Sequence, residues 1–159
     1  MKKLALIILV IVIFSGCTGK IDENQMVYDS YIEELRELKN MTTSKKIVDV
    51  NVEWEEEQEK IAYRVTIDNP QVEMYNIEAI VYHTVKTDDI YPTIGVFDKK
   101  LNLIPNLEKN EDDNVRGIVL AGYIEKPKDI SKFHPTFKVM ILYNNKDNER
   151  QKIYYTKKV

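Results

Sequence analysis

The hydrophobic positions of this chain change their period twice. Residues 4–14 (LALIILVIVIF) are apolar without interruption. Over residues 21–40 apolar side chains recur every three or four positions. Tyr28, Tyr31, Leu35 and Leu38 fall on one stripe, which Val27 and Ile32 widen, while Glu33, Glu34, Arg36, Glu37 and Lys39 cover the remainder. That spacing predicts an amphipathic helix. Asp22, with Gln25 three residues on, predicts its capping box. Glu33 and Glu37 repel across one turn, so the helix needs a surface to pack on. From residue 46 the period falls to two.

Val48, Val50, Val52 and Trp54 alternate with Asp49, Asn51 and Glu53, the pattern of a half-buried strand, with Trp54 as a candidate core residue. Ile61, Tyr63, Val65 and Ile67 repeat the pattern after a charged connector over residues 55–60, and Asn69-Pro70 stops that strand. Residues 76–86, 115–124 and 137–143 read as strands that are apolar on both faces, and such strands are covered on both faces. Shorter strands are predicted over 94–97 and 152–156, with residues 144–150 (NNKDNER) as a turn. Residues 101–114 form the longest stretch without a strand. The count predicts a mainly β fold: an immunoglobulin-like antiparallel β-sandwich of about seven strands, preceded by one N-terminal α-helix. A plain sandwich leaves its outer faces bare. The doubly apolar strands therefore favour docking of the helix on the sandwich over pairing with a helix of another chain. Arg64-Val65-Thr66-Ile67-Asp68-Asn69-Pro70 and Tyr75-Asn76-Ile77-Glu78-Ala79 resemble segments of small bacterial and archaeal extracellular immunoglobulin-like domains, which implies the same fold. The cysteine pair of true immunoglobulin domains is lacking.

As a helix, residues 4–14 would span roughly 16 Å, about half of a bilayer core. Behind Lys2-Lys3, this is the length of a signal-peptide core and short for a spanning helix. The run ends in Phe14-Ser15-Gly16-Cys17, which resembles the lipobox of prokaryotic lipoproteins, with Phe14 where leucine is more usual. The continuation Thr18-Gly19 is similar to archaeal and Gram-positive examples. The resemblance implies cleavage between Gly16 and Cys17 and a diacylglyceryl thioether on Cys17. Its acyl chains would hold the protein on the extracytoplasmic face of the cell membrane. The expected organisation is a signal peptide over 1–16, a lipidated N-terminus and membrane-proximal helix over 17–44, and the sandwich over 45–159.

Charge and chemistry narrow the functional classes. Loss of residues 1–16 removes two lysines and takes the net charge from −3 to −5. A mildly acidic domain has no footprint for nucleic acid and no polybasic surface for anionic lipid. Cys17 is the single cysteine, so neither an internal disulfide nor a thiolate zinc cluster can form. His83 and His134 are the only histidines, and they lie far apart in sequence. His83 sits on an apolar strand, as a core histidine does. No nucleophile elbow, P-loop, dinucleotide fingerprint or zinc-protease motif occurs.

Residues 108–114 (EKNEDDN) gather oxygen ligands suited to calcium, without the spacing of an EF-hand. Asn40-Met41-Thr42 fits a glycosylation acceptor at Asn40. Of the ten tyrosines, Tyr63 and Tyr143 are expected in the core, and Tyr91, Tyr154 and Tyr155 at strand ends suit recognition. The expectation is a non-enzymatic interaction or structural module of the cell envelope, with no metal or cofactor. Its partners would be the membrane, through Cys17, and an envelope protein. The alternative is a small-molecule or calcium-binding lipoprotein using residues 101–114.

Overall fold

A computed structural model describes residues 22–39, 42–43 and 46–159. The leader, Gly16, Cys17 and the acceptor Asn40 lie outside the described residues. The first element, α1 (Glu23–Glu37), begins where Asp22 leaves the helical backbone and its carboxylate accepts the amide of Asn24 at 3.0 Å. The reciprocal half of the capping box does not form. Gln25 instead reaches forward one turn to Asp29, at 2.8 Å.

Nine strands follow: β1 (Asp49–Glu56), β2 (Lys60–Asp68), β3 (Met74–His83), β4 (Thr93–Ile94), β5 (Leu101–Leu103), β6 (Asn114–Val115), β7 (Gly117–Glu125), β8 (Thr136–Asn144) and β9 (Arg150–Lys158). One sheet has the order β1-β2-β7, and the other the order β6-β5-β3-β8-β9, with β4 also paired on β3. All pairs are antiparallel except β5 with β6. The chain crosses between sheets after β2, after β6 and after β7. This is the connectivity of an immunoglobulin-like sandwich, with β1, β2 and β7 facing β3, β8 and β9.

The alternating residues of β2 meet expectation, since Ile61, Tyr63, Val65 and Ile67 all lie in the core. There they pack with Ile77, Val81, Val139, Ile141 and their neighbours from the facing sheet. Tyr63 and Tyr143 are buried as predicted. Both faces of β3 and β8 are buried too, and α1 is what covers the outer one. Tyr28, Ile32 and Leu35 sit on Ile80, Met140 and Leu142, forming a second, smaller core.

Other expectations need correction. β7 is not covered on both faces: Val119 is 55% exposed and Tyr123 50%. It belongs to the three-stranded sheet, and α1 lies on the other one. Trp54 is 38% exposed, with an edge contact to Phe133 at 5.5 Å, because β1 is the edge strand of its sheet and has a neighbour on one side alone. The stretch 101–114 contains β5 and the first residue of β6. β5 is held in place by the Asn102 side chain, which accepts the amide of Asn76 at 2.9 Å where β3 bulges with a left-handed Asn76 (φ 50°). The strand expected over 94–97 shrinks to β4. Gly95 ends it at φ 77°, so close to β3 that a Cβ there would lie 2.2 Å from the Ile77 carbonyl oxygen.

Because Leu35 is the fully buried centre of the second core, Leu35→Ala should cost about 2–5 kcal/mol in urea denaturation. Met26→Ala, at an exposed position of the same helix, should stay within about 0.5 kcal/mol of wild type.

Candidate interaction surfaces

Two buried charged side chains, Lys138 and Glu78, sit on the sheet beneath α1, and a carboxylate of the helix itself, Glu34, reaches down to the sheet edge; all three serve its docking. Lys138, only 6% exposed, rises from the outer face of β8. Its ammonium donates to the carbonyls of Leu35 at 2.8 Å, Leu38 at 2.6 Å and Arg36 at 3.3 Å. Carbonyls of a last helical turn have no partner within the helix and carry its negative pole, so a cation there satisfies both needs. The Tyr82 ring lies 5.6 Å from the same ammonium, and burial pulls the lysine pKa below its ordinary 10.5.

Glu78 on β3 is 8% exposed. It accepts from the Tyr31 hydroxyl and Lys100 and pairs with Arg150 at 2.8 Å. Burial alone would raise its pKa. The bonds from Lys100 and Tyr31 and the charge of Arg150 outweigh burial and hold it below the ordinary 4.5. Burial of the Tyr31 phenol, together with that carboxylate, pushes the phenol up to about 12. Glu34 repeats the arrangement at the β9 edge of the helix. There Lys152 at 2.8 Å and the Tyr154 hydroxyl overcome desolvation and lower its pKa. The Tyr28 hydroxyl accepts the amide of Tyr91 at 2.7 Å. Tyr91 and Tyr154 were expected to serve recognition at strand ends, yet both are engaged in holding the helix.

His83 is buried among the rings of Tyr91, Tyr63 and Phe137 at 5.0, 5.4 and 5.9 Å, and its Nδ1 lies 3.0 Å from the Val85 carbonyl oxygen. Desolvation lowers its pKa from 6.5. His134 is exposed in the loop before β8. Among the described residues, no three histidine, cysteine or carboxylate side chains gather where a metal ion could bind. Four side chains of the oxygen-rich loop are engaged by neighbouring residues. Asp113 pairs with Lys99 and Glu111 with Lys109, Asn110 accepts the amide of Arg116 at 2.9 Å, and Asn114 accepts from Asn102 at 2.9 Å. The same loop does line a cavity of about 580 Å³, into which Asp68 and Arg116 also open.

The most open surface is the outer face of β1-β2-β7. Cross-strand rows run Asn51–Thr66–Val119, Glu53–Arg64–Ala121 and Glu55–Ala62–Tyr123. The face is polar and acidic along β1 and turns apolar along β7, where Val119, Ala121 and Tyr123 are all exposed. Lys60 lies 5.5 Å over the Tyr123 ring, and a hollow of about 470 Å³ between Trp54 and Tyr123 adjoins it. The sequence marked β7 as a strand, but nothing in it marked this face as open. A second cleft of about 580 Å³ enters the sandwich between β1 and β9, lined by Ile47, Val48, Val50, Ile153 and Tyr155. No described helix is long and apolar enough to cross a membrane. The chain matches no family model, no curated protein and no solved structure.

Glu78 and Glu34 have folded pKa values below their ordinary 4.5. The stability they contribute is complete above that value and is lost as pH falls through the folded values. Urea midpoints should therefore drop on acidification below pH 4.5, and Glu78→Gln should flatten that slope while lowering stability at neutral pH. Lys138→Met keeps the stem but leaves buried carbonyls without a donor, and should cost about 1–3 kcal/mol in the same assay.

Proposed function

We propose that this chain is a lipoprotein held on the extracytoplasmic face of the cell membrane by lipid on Cys17, with its sandwich acting as a non-enzymatic interaction module of the envelope. The observation that carries this reading is the single cysteine directly behind Ser15-Gly16 at the end of an 11-residue apolar run. Two acyl chains on that sulfur would supply about 0.8 kcal/mol per buried CH₂, enough for stable anchoring where one chain is marginal. The interaction role is supported by the outer face of the three-stranded sheet, where Val119, Ala121 and Tyr123 stand exposed on one strand. It is also supported by the buried ionisable groups Glu78, Lys138 and His83, whose partners are all structural. The cavity beside residues 104–110 supports a second reading, a small polar ligand or calcium held by that loop.

Cys17→Ser should move the protein from the membrane fraction to the soluble fraction, and mass spectrometry of the natural protein should find a diacylglyceryl thioether on a chain beginning at Cys17. A mutant that stays in the membrane fraction, or an unmodified sulfur, refutes the anchor. For the second reading, millimolar calcium should raise the melting temperature; an unchanged melting curve refutes calcium as the ligand.

A further inference from the structure

Among the described residues nine large hydrophobic side chains stand exposed, and four of them, Met26, Val27, Ile90 and Phe97, belong to the end of the fold where α1 begins. Tyr28 is the first buried residue of the helix. Asn24 lies one turn ahead of it on the same stripe and is exposed, so the helix starts beyond the edge of the sheet it covers. Met26 and Val27 are part of this overhang. The Phe97 ring lies 5.4 Å from that of Tyr28, and the Tyr28 hydroxyl accepts the Tyr91 amide at 2.7 Å, which holds the adjoining Ile90 beside the helix. Ile90 is 75% exposed, more than any of the other eight. Exposed apolar residues gathered at one end of a molecule mark a contact surface, where the same residues scattered singly would not.

The length of chain ahead of the helix decides what that contact is. Cys17 lies five residues before Asp22, a path of at most about 18 Å when fully extended. With lipid on the Cys17 sulfur, the start of the overhang stays within that distance of the bilayer surface. We infer that this end of the molecule seats on the membrane, with Met26, Val27, Ile90 and Phe97 entering the boundary between headgroups and acyl chains. Attraction to anionic lipid plays no part. Asp22, Glu23, Asp88, Asp89 and Asp98 surround the patch, Lys86 shares one hollow with Asp88 and Asp89, and Lys99 and Lys100 are paired with Asp113 and Glu78. The contact is therefore apolar, and it is effective because the tether keeps the patch at high local concentration beside the bilayer. Seating rests on the anchor proposed at Cys17, and it adds an orientation to it. β1 faces β9 across a cleft, at the edge of the sandwich opposite β4 and the overhang, and so stands away from lipid.

The test uses the protein purified from the membrane fraction and reconstituted in phosphatidylcholine vesicles, with and without lipid spin-labelled near the head of its acyl chain. One introduced thiol carries an NBD fluorophore, and Cys17 takes no label while its sulfur is a thioether. Ile90→Cys should give blue-shifted emission that the spin label quenches roughly twofold or more, as for a group just below the headgroups. Asn51→Cys, on β1, should give the same emission with and without the spin label. Adding Met26→Asp and Val27→Asp to Ile90→Cys should remove at least half of the quenching without changing the melting temperature. Quenching at position 90 no greater than at position 51, in chains that float with the vesicles, overturns the seating and leaves the anchor standing. Quenching that is unchanged by the two aspartates overturns it as well. A wild-type chain that takes the label, or that does not float with the vesicles, overturns the anchor and the seating together.

Discussion

Lys138 is a buried cation on the outer face of β8, where its strand neighbours Met140 and Leu142 are apolar, and the arrangement of the molecule depends on what it holds. Its ammonium donates to three carbonyls at the end of α1. A lysine left buried without acceptors would cost several kcal/mol. The bonds fix where the helix ends on β8, and hence which residues of the stripe lie over Ile80 and Met140. Around this point the other polar bonds form a rim: Tyr31 to Glu78, Glu34 to Lys152, and Tyr28 to Tyr91. The apolar stripe supplies the burial. The charged groups supply the register, since an oily surface alone would let the helix slide.

The same constraint divides the sandwich into two unlike halves. The sheet built on β3 and β8 is closed on both sides, by the core and by the helix. The sheet of β1, β2 and β7 has no helix over its outer face among the described residues, and the 104–110 loop borders it at the Thr66–Val119 end. Its polarity is graded, from the carboxylates of β1 to the aliphatic and aromatic residues of β7. Ionisable groups that in another protein would mark chemistry are here parts of the frame. His83 lies in an aromatic cage, Glu78 receives three donors, and the acidic loop is tied to Lys99, Lys109 and Arg116.

Much of the fold was legible because its signals are local. The alternation of β2, the double burial of β3 and β8 and the cap at Asp22 are each contained in a short window of sequence. What escaped depends on contacts between distant residues. β5 is three residues long and is defined by its pairing with β3 and β6, with Asn102 bonding Asn76 across the sheet. Trp54 obeys the alternation of its strand, but the strand lies at the sheet edge, and whether a strand is central or at an edge is not written in its alternation. β7 looked like β3 and β8 because all three are apolar on alternate and intervening positions. Only strand order decides which of them lies under the helix. For the same reason the exposed residues Val119 and Tyr123 were legible as strand residues and not as a surface. Tyr91 and Tyr154 were legible as strand-end aromatics, and their engagement with Tyr28 and Glu34 required the docked helix.

The order in which the bonds beneath α1 occur along the chain has a mechanical consequence. A pull applied ahead of Asp22 reaches the Tyr28 hydroxyl first, then the Tyr31–Glu78 contact, then Glu34, and the Lys138 clasp last. Each rupture loads the next, so the helix peels as a zipper does, in steps of about one turn. Beyond it the two-sheet core is closed by its own strand ladders. Tension from the N-terminal side would thus be dissipated in a detachable strap before it strains the sandwich.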